Sequence, residues 1–267
     1  MLALALTSCQ KSEDLAFNAG NQADVRIAVN LPADMNAVRS QEQPGTGDMV
    51  NRCIMEIYLD GELYGNRQVA AVQNRQTSFT ARLVSGKTYK FVFWADCAEG
   101  TSADNFADKH YATDDLSNVS ILDPAQYSGS DDERDAFFAV KDIEITASTA
   151  ISAELRRPFG QLNVETLDMN DVPESLRPAQ VSIDFDEVPT GIDLLTGELT
   201  QQTAPAAYAE NHELADASGK LSFDYIFAPQ TAGEQRLVNF TMSFFDASGA
   251  EVASAYEFTN IPVQRNY

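Results

Sequence analysis

A thiol at position 9 is the residue best placed for chemistry. Cys9 closes the stretch Leu6-Thr7-Ser8-Cys9, which follows the apolar run Met1-Leu2-Ala3-Leu4-Ala5 and precedes polar Gln10-Lys11-Ser12-Glu13-Asp14. Small side chains at Thr7 and Ser8 let a signal peptidase cut before Cys9. The sulfur then carries a diacylglycerol, and the freed amine takes a further acyl chain. This is a lipobox pattern. Each buried CH₂ adds roughly 0.8 kcal/mol, so one acyl chain holds a protein marginally and two or more anchor it. The spacing therefore predicts lipidation at Cys9 and a soluble part tethered to a membrane outside the cytoplasm. A signal peptide opens on a basic n-region and roughly 7–15 apolar residues. Here Met1 already lies in the apolar stretch with no Lys or Arg before it, so residues 1–8 read as a truncated signal peptide.

Little else points to catalysis. The two histidines, His110 and His212, stand in polar surroundings and read as solvated surface residues. No HExxH, GxSxG or GxxxxGK[ST] occurs, which removes the common zinc-protease, nucleophile-elbow and phosphate-loop sites. Asp131, Asp132, Glu133 and Asp135 invite a calcium reading, but the EF-hand spacing with its central Gly and closing Glu is missing. In a chain with 40 acidic residues such a cluster arises by chance. A glycosidase needs only two carboxylates across a cleft, which makes it a third-ranked reading. No catalytic residue, metal or cofactor is expected, and the chain reads as a non-enzyme. Cys53 and Cys97 sit at the ends of alternating segments and read as small buried hydrophobes rather than a bridge. Trp94 could stack on a sugar if exposed. The alternation of Tyr89, Phe91 and Phe93 around it favours a core strand with Trp94 covering the opposite face.

Charge narrows the partners. Lys plus Arg number 18 against 40 Asp plus Glu, a net charge of −22. Phosphates need a basic surface, so nucleic acid is excluded, as is electrostatic adhesion to anionic lipid. Hydrophobic residues make up 44% of the 267, enough for packed cores. No other run approaches the roughly 20 apolar residues of a membrane helix.

The elements that must position these residues have a period of two. Val25, Ile27, Val29 and Leu31 alternate with polar neighbours, as do Cys53 to Leu59 and Tyr89 to Ala95. Val181 to Phe185, Leu221 to Phe227, Val238 to Phe244 and Val252 to Phe258 repeat the style. Such alternation predicts half-buried antiparallel strands. Asp60-Gly61 is the strongest short hairpin signal. Residues 96–135 are acidic and Ser/Asn-rich and read as a long loop. Asp132 to Phe138 reads as one or two helical turns. Arg157-Pro158 divides two strand-like stretches. The chain is thus all-β, with a first β-sandwich domain over 9–156 carrying an acidic loop insertion and a second over 157–267.

Three stretches carry a family resemblance. Phe91-Val92-Phe93-Trp94-Ala95-Asp96 with its long acidic insertion resembles the N-terminal domain of Bacteroidetes-type fimbrillins. Asp132-Glu133-Arg134-Asp135-Ala136-Phe137-Phe138 is similar to the segment that follows there. Ile261-Pro262-Val263-Gln264-Arg265-Asn266-Tyr267 looks like the family's C-terminal Arg-Asn signature. The resemblance implies two transthyretin-like, Greek-key β-sandwiches in tandem and a pilus subunit or fimbrial accessory or tip lipoprotein used in adhesion. It implies a lipid-anchored place at the outer membrane and then in the fimbrium. An arginine-specific protease would remove the lipidated segment with the first strand, here Val25, Ile27, Val29 and Leu31. The groove would accept a neighbouring subunit's strand by β-strand addition. Arg39-Ser40, in the polar Gly/Pro-containing linker from Pro32 to Asp48, is the expected cut. Arg26 and Arg52 lie in strands, and Arg157 precedes Pro158. Family members continue past the Arg-Asn signature, whereas this chain stops at Tyr267: if that end is the protein's own, the second domain lacks its last strand, and if the chain is a fragment, assembly is not judged from it. A glycan-binding surface lipoprotein of a nutrient-uptake system is the alternative, with Trp94 as its platform.

Overall fold

The structure is a computed structural model that describes residues 21–32, 45–211 and 219–265. In its first half the strands are β1 (Gln22–Asn30), β2 (Arg52–Leu59), β3 (Glu62–Leu63), β4 (Gln68–Ala71), β5 (Gln76–Val84), β6 (Lys87–Asp96), β7 (Tyr111–Ala112), β8 (Val119–Ile121), β9 (Phe137–Ile145) and β10 (Thr149–Glu154). The second half holds β11 (Phe159–Glu165), β12 (Gln180–Phe185), β13 (Val188–Ile192), β14 (Leu199–Thr203), β15 (Tyr208–Asn211), β16 (Lys220–Phe227), β17 (Arg236–Phe245) and β18 (Glu251–Val263). The fold is all-β, and the helical signal of Asp132 to Phe138 shrinks to a single 3-10 turn, Asp132–Arg134, before β9.

Two sheets make the first sandwich, β10-β1-β5 and β3-β2-β6-β9, with β4 added beside β2. Their facing stripes form one core: Val25, Ile27 and Val29 of β1, Phe79 and Leu83 of β5, Tyr89, Phe91 and Phe93 of β6, Phe137 and Ala139 of β9. The Asp60-Gly61 hairpin closes as expected, with Tyr58 opposite Leu63 and both turn residues at positive φ, 53° and 88°. That is the conformation a two-residue hairpin turn requires.

One pairing departs from the antiparallel expectation. β1 pairs antiparallel with β5 but parallel with β10, Val25 opposite Thr149 and Asn30 opposite Glu154. Alternation reports which face is buried, not strand direction. A parallel pair needs a long crossover, and here the intervening β2 to β9 supply it.

The sheet β2-β6-β9 is covered on both faces. Its odd positions enter the first core, while Ile54, Tyr58, Val92, Trp94 and Phe138 enter a second core with Phe159, Val181, Ile183, Phe227, Phe240 and Met242. The stretch read as a long loop takes part in that second core. β7 and β8 form a hairpin, β8 pairs with β13 through Val119 and Ser120, and Tyr111, Leu116, Val119, Ile121 and Tyr127 are buried. Arg52 on β2 ties the stretch down with Nη1 2.9 Å from Asp108 and Nη2 2.7 Å from Asp96. The four-stranded sheet β15-β12-β17-β18, the pair β11-β16 and the sheet β14-β13-β8-β7 complete the second half.

Candidate functional site

The first strand is the middle of its sheet. Val25, Ile27, Val29 and Leu31 are 0–3% exposed and point into the core, while Asp24, Arg26 and Ala28 face solvent. β1 runs beside β5 from Gln22 opposite Val84 to Asn30 opposite Gln76, and beside β10 over its last six residues. Taking β1 away would leave a strand-wide slot, with a hydrogen-bonding edge on each side and an apolar floor. Unpaired edges of this kind template another strand.

Both ends of the segment after β1 are pinned. At the first end, Leu31 N–H donates to Arg75 O at 2.9 Å and Arg75 Nη2 donates to Pro32 O at 2.8 Å. Arg75 Nη1 also meets Asp48 Oδ1 at 2.9 Å. Asn30 donates to Glu154 Oε1 at 2.7 Å, and its carbonyl accepts from Leu155 N–H at 2.9 Å. At the other end, Gly45 N–H donates to Asp132 Oδ1 at 2.8 Å, and Gly45 O accepts from Arg157 Nη2. Gly45 has φ +95°, and a Cβ there would stand 3.0 Å from Arg157 and 3.1 Å from the Tyr225 hydroxyl, so glycine suits the position. Arg157 is itself forked onto Asp135, Nε to Oδ1 at 2.7 Å and Nη2 to Oδ2 at 2.6 Å. Burial pushes the Asp135 carboxyl up, and Arg157 pulls against that shift. A break in residues 33–44 would cut the covalent link from β1 to the body and leave the strand held by its ladders, its packing and the hydrogen bonds at Asn30, Leu31 and Pro32. Arg39 and Ser40 lie in that segment and, like Cys9 and His212, are outside the described residues.

Cys53 and Cys97 are buried free thiols. Burial raises both, that of Cys97 to about 11, so neither is a nucleophile at neutral pH. Trp94 is fully buried and packs edge-on against Tyr111 at 5.3 Å between ring centroids, which removes it as a sugar platform. His110 departs from the expected solvated position: its side chain is only 10% exposed and faces Asp131 and Glu133. A buried trio also escaped the sequence. Asp224 on β16 accepts from Tyr127 at 2.8 Å and Tyr208 at 2.6 Å, and burial raises its carboxyl to about 6. The signal was present as a charge inside the run Leu221-Ser222-Phe223-Asp224-Tyr225-Ile226-Phe227, where burial demands partners.

Fold and site together define an all-β sandwich protein whose first strand is a central one. The chain matches the family of unknown function DUF6562 over residues 17–267 and belongs to it. Among solved structures, it is similar to a candidate polysaccharide-binding protein of Bacteroides thetaiotaomicron, at 12% identity over 86% of this chain and 78% of that one, TM-score 0.52. It is similar to a candidate cell adhesion protein of Bacteroides eggerthii, at 10% identity over 92% and 84%, TM-score 0.52. The fimbrial anchor protein Mfa2 of Porphyromonas gingivalis aligns at 12% identity over 88% and 82%, TM-score 0.46. At these identities the first two matches establish the shared fold. No protein of curated function matches the chain.

Proposed function

We propose that this chain is a cell-surface lipoprotein, anchored through Cys9, that serves as a fimbrial subunit or as an accessory or tip protein. It assembles by strand exchange, acts in adhesion and does no catalysis. The observation that carries the reading is the placement of β1. β1, the first of the described strands, is the central strand of β10-β1-β5, followed by a segment pinned at Pro32 and Gly45. A cut after Arg39 frees the anchor and β1 together, and the vacated slot takes the strand of a neighbouring subunit through backbone hydrogen bonds, with alternate side chains setting register. The shared fold with a candidate cell adhesion protein supports the same reading. The anchored form belongs at the outer membrane and the cut form in the fimbrium.

The test is the state of the protein recovered from the surface of its host. A mature N-terminus at Ser40 is expected. Arg39→Ala should leave a membrane-bound monomer, and Cys9→Ala should abolish incorporation of a labelled fatty acid. Uncut, Cys9-lipidated protein inside assembled fibres would refute the scheme.

A further inference from the structure

His110, Asp131 and Glu133 meet where the β7–β8 hairpin passes the 3-10 turn before β9. Nε2 of His110 stands 3.8 Å from Asp131 Oδ2 and 3.6 Å from Glu133 Oε2. Both separations are too long for hydrogen bonds. The imidazole is nine-tenths buried, and its Nε2 has no hydrogen-bond partner. One ligand atom from each of the three residues lies within 4.8 Å of the others. Ligands held about 2.0–2.2 Å from one ion, at angles between tetrahedral and trigonal, stand about 3.3–3.8 Å apart. The two histidine–carboxylate separations match that spacing.

The backbone holds the three side chains in place. Asp131 caps the 3-10 turn, its Oδ1 accepting from Glu133 N–H at 3.0 Å, which leaves Oδ2 to face the imidazole. The Tyr111 hydroxyl donates to Arg134 O at 2.5 Å, and the His110 carbonyl accepts from Leu122 N–H at 2.9 Å. Burial and the charge of Arg134 hold the imidazole below its ordinary value.

Two cations already face the carboxylates. Lys109 Nζ lies 2.6 Å from Glu133 Oε2, and Arg134 Nε lies 3.8 Å from Asp131 Oδ2. Lys109 has a second carboxylate within reach, Glu99 Oε1 at 3.8 Å. Its ammonium fills the charge role of a metal ion and can move aside.

We propose that His110, Asp131 and Glu133 form a binding site for a first-row divalent metal ion, with Lys109 shifting from Glu133 to Glu99 as the ion enters. One imidazole with two carboxylates suits Zn²⁺, whereas Ca²⁺ takes six to eight oxygens and no imidazole. The ion would clasp the β7–β8 hairpin to the turn that leads into β9.

The test is a titration of tag-free full-length protein with Zn²⁺ against a chromophoric chelator. One equivalent should bind. His110→Ala and Glu133→Gln should each weaken binding at least about tenfold, and Lys109→Met, which removes the competing cation, should tighten it. Lys109→Met leaves all three ligands in place, so it reads the site even if His110→Ala unfolds. Zn²⁺ should also raise the unfolding midpoint of the wild-type chain by mass action. Absence of stoichiometric binding, binding unchanged in both ligand variants, or no tightening in Lys109→Met would overturn the proposal.

Discussion

If β1 is built to be exchanged, its hold on the body must come from its buried stripe and not from its solvent face. Ile27 is 1% exposed and sits opposite Phe79 on β5 and Ile151 on β10. Ile27→Ala deletes three buried carbons from a site fixed on both flanks, which costs about 2–5 kcal/mol. That corresponds to roughly 30-fold to several thousand-fold weaker retention of the strand. Arg26, one position away, is exposed, and its change to Ala should stay within about 0.5 kcal/mol, or roughly twofold. The assay uses protein with a specific protease site placed between Arg39 and Ser40. After the cut, a labelled peptide of residues 21–32 competes with the resident strand, and fluorescence anisotropy gives its affinity. The wild-type and Arg26→Ala peptides should exchange in, and the Ile27→Ala peptide should fail at matched concentration. Equal affinity of the Ile27→Ala and Arg26→Ala peptides would refute the argument, because backbone pairing alone would then retain the strand.

Further outcomes follow from the buried groups. Trp94→Ala should lower stability by about 3–5 kcal/mol in urea denaturation, since the ring is fully buried against Tyr111; a loss below about 1 kcal/mol would show that this face is poorly packed. Asp224 is raised by burial from 3.8 to about 6, so the folded state holds its proton more tightly than the unfolded state. The stability it contributes is full below its unfolded value and is lost as pH rises through about 6, by up to about 3 kcal/mol. Asp224→Asn should flatten that part of the pH–stability curve, and an unchanged slope would count against the assignment. Arg157→Met strands the Asp135 carboxylate, whose side chain is 1% exposed, and should cost about 3–5 kcal/mol. Adding Asp135→Leu should restore most of the loss, and a double variant no better than the single would show that the pair is not coupled.

The elements most legible in the sequence were those with one wet face. Val25 to Leu31 alternates cleanly because Asp24, Arg26 and Ala28 meet water. Asp60-Gly61 was legible because a two-residue turn needs positive φ at both positions. Tyr89, Phe91 and Phe93 read as the inward stripe of a half-buried strand, where the structure buries Val92 and Trp94 as a second stripe, since a sheet covered on both faces blurs the period of two. β7 and β8 are two and three residues long, too short for any periodicity to register against an acidic background. The parallel partnership of β1 with β10 left no local mark. His110 looked solvated because its neighbours in sequence are polar, yet its side chain is 10% exposed and faces Asp131 and Glu133, about 20 positions on.

The placement of β1 also inverts the order in which the chain is made and finished. Asp24 N–H reaches Ser148 Oγ across 124 positions, so β1, the first of the described strands, waits for the last strand of its sandwich. Closing so long a loop is slow. Until β10 arrives, β1 can zip only to β5, and one of its edges stays open. In pulsed hydrogen exchange during refolding, β1 amides that bond to β10 should gain protection after the amides of the β2–β6 ladder, and earlier protection would contradict this order. The strand proposed to leave the mature subunit is thus the one whose seat is completed last, and late completion keeps a neighbour's strand competitive for it.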